Sequence, residues 1–580
     1  MVGSLLAVAL VGSACSSNGS GVVPGGNTTA PAPASPTAFP TASNATSPCD
    51  PASVPQSVDA SKYGPGDLIA AREIPVTNLT GARAWRVLYV SIGVDEKTLL
   101  PVCGVVVAPD SAAKVSLTAG TANMLTWAHG TLGVVQTCQP STDPNTDIFG
   151  AQSDGLGAVG YGSAPAGNRH QGQPQNGVLQ TAINRGWTVA ATDYYAGGLW
   201  PASQNVMPFS IATMSAAAVL DSARAAAQVL AVQYGPALKA TSYDVLTWGW
   251  SQGGHAAFWA AQLGRSYYTR TAPRQYTPAL KVVGTAVVAP GTTQVAAPND
   301  PPSSWGTHWI DREMHQTATM NVGTKTITIP VGVTLFADFL GSWPQWSRSI
   351  PASGAGFPAY PAGAANISQA AILTQQGIAT TAQMLPECVQ QQATFALPYA
   401  NPAKNAYFVP PIWGQPGPGG QYQGQMDKTC NTTADAGIEQ WCSWLRYIEP
   451  GPAGTSSFDK VPMAADGSLL PVFIGQGEDD TAVHCINAST SVPAPADCLS
   501  RQFYDQLSGV YCPSGSAKAA LQLHLWRATP TTPAEHSDIP GLASDNGHLA
   551  FPGSPLDTFM SAAFGGNGPP AGCAATVANP

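Results

Sequence analysis

The segment Thr247-Trp248-Gly249-Trp250-Ser251-Gln252-Gly253-Gly254-His255 carries the residue types of nucleophilic catalysis. It contains G-x-S-x-G, in which a serine stands on a sharp strand-to-helix turn and small neighbours let the turn close. Residues Ser242 to Trp248 read as a buried strand, with Tyr, Val, Leu, Thr and Trp and little charge. Residues Gly253 to Gln262 are rich in Ala and other good helix formers. This flanking context lifts a pentapeptide that recurs by chance into a candidate nucleophile, Ser251.

A serine hydroxyl is a weak nucleophile and needs a base, usually His, fixed in turn by an acid. When strand, turn and helix present the serine in this way, the chain order is Ser, acid, His. Gly475-Gln476-Gly477-Glu478-Asp479-Asp480-Thr481-Ala482-Val483-His484 follows a later strand, and its G-x-x-D-x-x-V spacing selects Asp480, with Asp479 as the alternative. The base should lie between the last strand and a C-terminal helix. His548, after Gly547 and before the helix-like Pro555 to Phe564, fits best, and His536 is the alternative. His255, one turn after Ser251, should pack behind the elbow; His524 reads as structural and His484 as a supporting group. The oxyanion of a tetrahedral intermediate needs two backbone donors. Gln252, next to the nucleophile, supplies one. Trp127-Ala128-His129-Gly130-Thr131 offers the other, with Thr131 preferred to Gly130 and His129 orienting the turn.

These groups need a frame. Two or three strands are expected over 68–109, the clearest at 84–91 and 102–107; then strand-like runs at 123–128, 187–193, 242–248, 280–288, 469–475 and 521–526 alternate with longer segments, the pattern of βαβ units and a parallel sheet. About 175 residues separate the runs ending at 288 and starting at 469, too many for an unstructured loop in a compact fold. We read 293–465 as an inserted cap or lid, with helices over 367–383 and 437–448, between core segments 61–292 and 466–580.

Of the 580 residues, 44% are hydrophobic and only 10% charged, with net charge −9. There is no Lys/Arg cluster, so nucleic acid is excluded as a partner. Residues 16–60 are a linker of Ser, Gly, Pro, Thr and Ala that cannot bury enough surface to fold. The apolar run from Leu5 to Ala14 resembles an export signal, and Cys15 behind it is a candidate for lipidation and hence a membrane tether. The expected location is secreted or cell-envelope. Eleven cysteines less Cys15 leave ten, compatible with five disulfides; Cys430–Cys442 and Cys485–Cys498 are spaced as local loops. Their spacing is not that of zinc ligands, and no metal is expected.

Together the motifs resemble the secretory lipase family of α/β-hydrolases. The resemblance rests on Pro65-Gly66-Asp67-Leu68-Ile69, Arg86 to Ser91, Val102 to Pro109, Trp127 to Thr131, Thr192-Asp193-Tyr194, Gly249 to His255 and Gly547-His548. It covers roughly 60–292 and 466–575 and thins out in the cap. It implies an α/β-hydrolase fold, with a mostly parallel central sheet and a large inserted cap, and hydrolysis of acylglycerols or related esters without a cofactor. The partner implied is a small-molecule, lipid or polyester ester. An acyltransferase on the same triad, and a non-catalytic surface binding protein on a hydrolase fold, are the alternatives.

Overall fold

The structure is a computed structural model. It describes most of the chain from 47 to 578; outside the description lie 1–46, 145–177, 196–205, 351–359, 362–366, 415–424, 487–497, 528–553, 579–580 and gaps of one to four residues. The strands form where uncharged β-branched, aromatic and Ala residues run together. β1 (Leu68–Ile74), β2 (Ala82–Ile92) and β3 (Leu99–Pro109) form an antiparallel meander. The short β4 (Leu117–Thr118) leads into β5 (Thr121–Ala128), followed by β6 (Thr188–Thr192), β7 (Ser242–Trp250) and β8 (Ala279–Val288). Among the described residues eleven strands make one sheet, ordered β1-β2-β3-β6-β5-β7-β8 and continued by three later strands, with β4 paired to β5 off this path. Pairing turns parallel from β6 onward. β3 and β7 are buried almost throughout, as expected of strands covered on both faces.

Two helices cover one side of the site-bearing strands. α1 (Ala212–Tyr234) is dominated by Ala, so it lies close against the sheet, and nearly every residue in it is buried. Its charged pair Asp221–Arg224 is buried with it, closed at 3.0 Å. α2 (Gln252–Arg270) starts directly at the end of β7. The chain leaves β5 for β6 on one side and reaches β7 on the other, so the sheet order reverses direction at β5. Crevices at the carboxyl ends of strands beside such a switch are where α/β folds place ligands.

Between β8 and the next sheet strand the chain builds the cap. It comprises α3 (Trp309–Glu313), the hairpin β9 (Ala318–Val322) and β10 (Lys325–Ile329), α4 (Val331–Ser347), α5 (Gln375–Met384), α6 (Val389–Ala396), α7 (Pro410–Trp413), α8 (Met426–Thr432) and α9 (Ala436–Ile448). The helix expected over 437–448 is present, opened by Asp435, whose carboxylate accepts the Gly437 and Ile438 N–H groups. The one expected over 367–383 begins only at Gln375, capped by Thr374; residues 369–371 form a separate turn. The cap's interior is aromatic: Trp343 stacks on Trp441 at 5.5 Å, and Trp444 lies edge-on to Trp343 at 5.7 Å.

The sheet resumes with β11 (Val472–Gly477), parallel to β8. A small β12 (Asp479–Asp480) and β13 (Cys485–Ile486) ladder follows, then α10 (Leu499–Tyr511), β14 (Ala520–Trp526), α11 (Pro555–Phe564) and β15 (Gly572–Ala578). β15 was not expected. Its sequence, Gly-Cys-Ala-Ala-Thr-Val-Ala, has no large apolar alternation, and pairing with β14 and the Cys512–Cys573 disulfide hold it instead. All ten cysteines beyond Cys15 are paired: Cys49–Cys103, Cys138–Cys388, Cys430–Cys442, Cys485–Cys498 and Cys512–Cys573. The two expected local loops are both among them. The first disulfide and the buried Val54 draw the end of the predicted 16–60 linker onto β2 and β3. Cys138–Cys388 ties the loop after β5 to the cap across 250 residues of sequence. Replacing both partners by Ser should lower unfolding stability by about 2–5 kcal/mol, measured by denaturant titration; an unchanged midpoint contradicts the tie.

Candidate functional site

Ser251 stands between the last residue of β7 and the first of α2, with φ 58° and ψ −122°. A side chain at positive φ costs of order 1–3 kcal/mol and persists only when its surroundings enforce it. Three backbone hydrogen bonds do so: Ser251 N–H donates to Val288 O at 2.9 Å, and Ser251 O accepts from Gly291 and His255 N–H at 3.2 Å each. The pattern's glycines are sterically required. A Cβ at Gly249 would lie 2.1 Å from Gly253 O, and one at Gly253 would lie 1.8 Å from Ala128 O. Both contacts are with backbone that cannot move aside, so the strand, turn and helix close only with glycine there.

The turn after β5 lies against this elbow. A Cβ at Gly130 would meet the Trp250 ring at 2.6 Å and stand 3.5 Å from Ser251 Cβ. Thr131 lines the same pocket as Ser251 and Gln252. His129 is buried, and burial pushes its imidazole down to about 4. It is therefore neutral, and its Nδ1 lies 2.6 Å from Gly130 O. Tyr194, itself at φ 63°, donates its hydroxyl to His129 O at 2.8 Å and packs its ring on the imidazole at 4.6 Å. Asp193 beside it accepts the Ser141 N–H at 3.1 Å. His129 thus orients the turn, as expected.

At the end of β11 the three acidic residues separate. Glu478 is paired with Arg527 at 3.2 Å. The backbone of Asp479 pairs with Ile486, and its side chain lies outside the description. Asp480 is wholly buried and held at both oxygens: Oδ1 accepts the N–H groups of Ala482 at 2.9 Å and Val483 at 2.8 Å, and Oδ2 accepts Gln476 Nε2 at 2.7 Å. Ser500 fixes Gln476 by donating to its Oε1 at 2.6 Å, and the Cys485–Cys498 disulfide closes the turn from behind. His548 and His536 both lie outside the described residues. Among the described residues, His255 and His524 are committed elsewhere. His255 Nε2 donates to Ile448 O at 2.8 Å, and burial pushes this imidazole to about 4. His524 lies in β14, stacked on Phe473.

The cap roofs the site through side chains that the sequence did not single out. The Ile448 carbonyl also accepts Trp259 Nε1 at 2.7 Å. Glu449 accepts the N–H groups of Thr293 and Gln294 at 2.7 Å each, and burial pushes its carboxyl up to about 7. Glu313, in α3, is fully buried; burial above all, and the nearby Asp480 carboxylate, raise its carboxyl well above the usual range, against a backbone hydrogen bond from His484 that acts to lower it. Two cavities meet under the cap. One reaches Ser251, Gln252 and Thr131; the other is lined only by apolar side chains, among them Phe336, Trp343, Phe408 and Met426. Trp309 and Phe339 line both. Only tertiary packing brings these residues, more than 50 positions from the elbow, over Ser251, and no local pattern marks them. Among the described residues there is no cluster of His, Cys, Asp or Glu able to hold a metal ion.

Residues 169–298, which include the elbow, match the family model for secretory lipase. This bears out the resemblance read from the motifs, over a narrower span. No curated protein matches the chain. Among solved structures, the X-ray structure of Candida antarctica lipase A in its closed state is similar with TM-score 0.49 and 16% identity, covering 90% of this chain and 88% of that one. A rice cell wall degrading esterase, LipA from Xanthomonas oryzae, is similar with TM-score 0.41 and 14% identity, covering 72% of this chain and 84% of that one.

The strain at the elbow gives one expected outcome. Ser251→Gly should be more stable than Ser251→Ala by about 1 kcal/mol, since glycine adopts positive φ freely while losing somewhat more entropy on folding; equal unfolding midpoints contradict enforced strain. Glu313 gives another. A carboxyl held above its unfolded value binds protons more tightly in the folded state, so stability falls as pH rises from the ordinary glutamate range through the raised value. Glu313→Gln should therefore match the wild type in thermal midpoint near about pH 5 and exceed it near about pH 8; a gap that is constant with pH contradicts the burial of an ionisable carboxyl.

Proposed function

We propose that this chain is an exported carboxylic ester hydrolase working through Ser251, His548 and Asp480. The observation that carries the reading is Ser251 at positive φ between Gly249 and Gly253, at the carboxyl end of a central parallel strand, facing a pocket that it shares with Thr131 and Gln252. A hydroxyl held in a strained turn at a pocket wall, beside backbone donors, suits acyl transfer. Ser251 Oγ attacks the ester carbonyl carbon as His548 takes its proton. Asp480, fixed at both oxygens, holds the imidazolium. The carbonyl oxygen becomes an oxyanion that accepts the N–H groups of Gln252 and Thr131. Collapse breaks the bond to the alcohol, which leaves with the proton from His548. Water then attacks the acyl-enzyme by the same steps and frees the acid. Chain order and the following helix support His548 over His536, and the G-x-x-D-x-x-V spacing supports Asp480 over Asp479.

The apolar cavity beside the Ser251 pocket suits an acyl chain, because burying methylenes there contributes about 0.8 kcal/mol each. Five disulfides support a location in an oxidising compartment, and a tether at Cys15 rests on the sequence alone.

Purified protein should turn over p-nitrophenyl esters, with KM falling from butyrate to palmitate. Ser251→Ala and His548→Ala should each lower kcat by about 10³-fold or more, while His536→Ala stays within about threefold of the wild type. Full activity in Ser251→Ala or His548→Ala contradicts the assignment.

A further inference from the structure

Trp309 touches three parts of the site at once. Its backbone N–H donates to Thr293 O at 2.8 Å, and Ile310 N–H donates to Gln294 O at 3.2 Å, which fastens the start of α3 to the loop behind Ser251. Its ring lies in the apolar chamber of the cap, edge-on to Phe336 with centroids 5.0 Å apart and tilted against Phe339 at 5.5 Å. Its indole N–H points out of that chamber and donates to Ala482 O at 2.9 Å. The peptide unit carrying this carbonyl also carries the Val483 N–H, which donates to Asp480 Oδ1 at 2.8 Å. Trp309 and Asp480 are therefore bound to opposite ends of one peptide dipole. A hydrogen bond accepted by a peptide oxygen polarises the N–H of the same group and strengthens the bond that it donates.

We propose that Trp309 is a positioning residue that couples occupancy of the apolar chamber to the grip on Asp480. This deepens the ester-hydrolase reading and rests on Asp480 being the acid. An acyl chain in the chamber packs against the indole and holds it where its N–H meets Ala482 O. The Val483 N–H is then directed at Asp480, which keeps the base in its productive orientation. A short acyl chain leaves the ring without that support. Chain length thus acts on turnover as well as on binding.

The seam is otherwise fixed, which leaves the indole as the adjustable contact. Gln476, Ser500 and the Cys485–Cys498 disulfide hold the far side of the acid turn. A phenylalanine at 309 would keep an aromatic ring in the chamber and remove only the donor.

The test compares Trp309→Phe with the wild type on p-nitrophenyl butyrate and palmitate, with kcat referred to the enzyme that a fluorophosphonate titrates, so that misfolded protein does not enter. The wild type should show a higher kcat on palmitate than on butyrate. In Trp309→Phe the palmitate kcat should fall by about 3- to 10-fold, the scale of one hydrogen bond. Its KM should stay within about twofold, and the palmitate-to-butyrate kcat ratio should collapse toward one. An unchanged ratio overturns the coupling, as does a rise in palmitate KM at constant kcat, which would make Trp309 a chamber wall only. Asp480→Asn separates the two claims: full activity there sinks the underlying triad, whatever Trp309 does. Should Trp309→Phe yield no titratable enzyme, hydrogen exchange on the wild type answers instead. The peptide containing Ala482 and Val483 should exchange more slowly with a long-chain phosphonate on Ser251 than with a short-chain one, and equal protection overturns the proposal.

Discussion

The site depends on one backbone constraint, the left-handed conformation of Ser251 where β7 becomes α2. The chain reverses there within a single residue, which brings β7, α2 and the turn after β5 to backbone contact. Ala128 O and Gly253 O leave no room for side chains at Gly253 and Gly249. The same closeness puts the Gly130–Thr131 turn beside the serine. Strain at one residue, of order 1–3 kcal/mol, is offset by the hydrogen bond that Ser251 N–H gives to Val288 O, by those its carbonyl accepts from Gly291 and His255, and by the packing of a large buried sheet. Position in the sheet follows from it too. Because β5, β7, β8 and β11 run parallel, the Gly130–Thr131 turn, the serine, the Gly291 loop and the Asp480 turn all emerge at one edge.

Electrostatics around this edge are arranged by burial. His129 and His255 are dry and neutral, so each serves as a shaped hydrogen-bonding spacer. Asp480 is equally buried, and three N–H donors meet its two oxygens, as a buried polar group requires. Glu313 is pushed toward its neutral form by burial and by the Asp480 carboxylate. The cap supplies much of this environment, through Ile448, Glu449 and α3.

Much of the frame was legible in the sequence. The six parallel-type strand runs coincide with strands, because uncharged β-branched and aromatic runs bounded by turn residues have few other folds open to them. Ser251 was legible because its pattern is steric and local. Spacing alone separates Asp480 from Asp479 in the sequence, and Asp480's three donors come from its own turn and from Gln476. The ten cysteines were legible as a count, but only Cys430–Cys442 and Cys485–Cys498 as pairs, since the other three bridges span 54 to 250 residues. β15 was hidden because its small residues extend only when β14 is alongside. Trp309, Phe339 and Glu313 were hidden for the same reason at the level of the site: their roles come from packing between the cap and the acid turn. His536 and His548 lie outside the described residues, so the choice between them rests on chain order.

The central claim is that Ser251 is a reactive nucleophile. The most direct measurement is mass spectrometry of the intact protein and its proteolytic peptides after treatment with a fluorophosphonate. The account predicts a single adduct per chain, on the peptide containing Ser251, and none after prior denaturation. An unmodified Ser251 in folded protein, or an adduct at another residue, contradicts it.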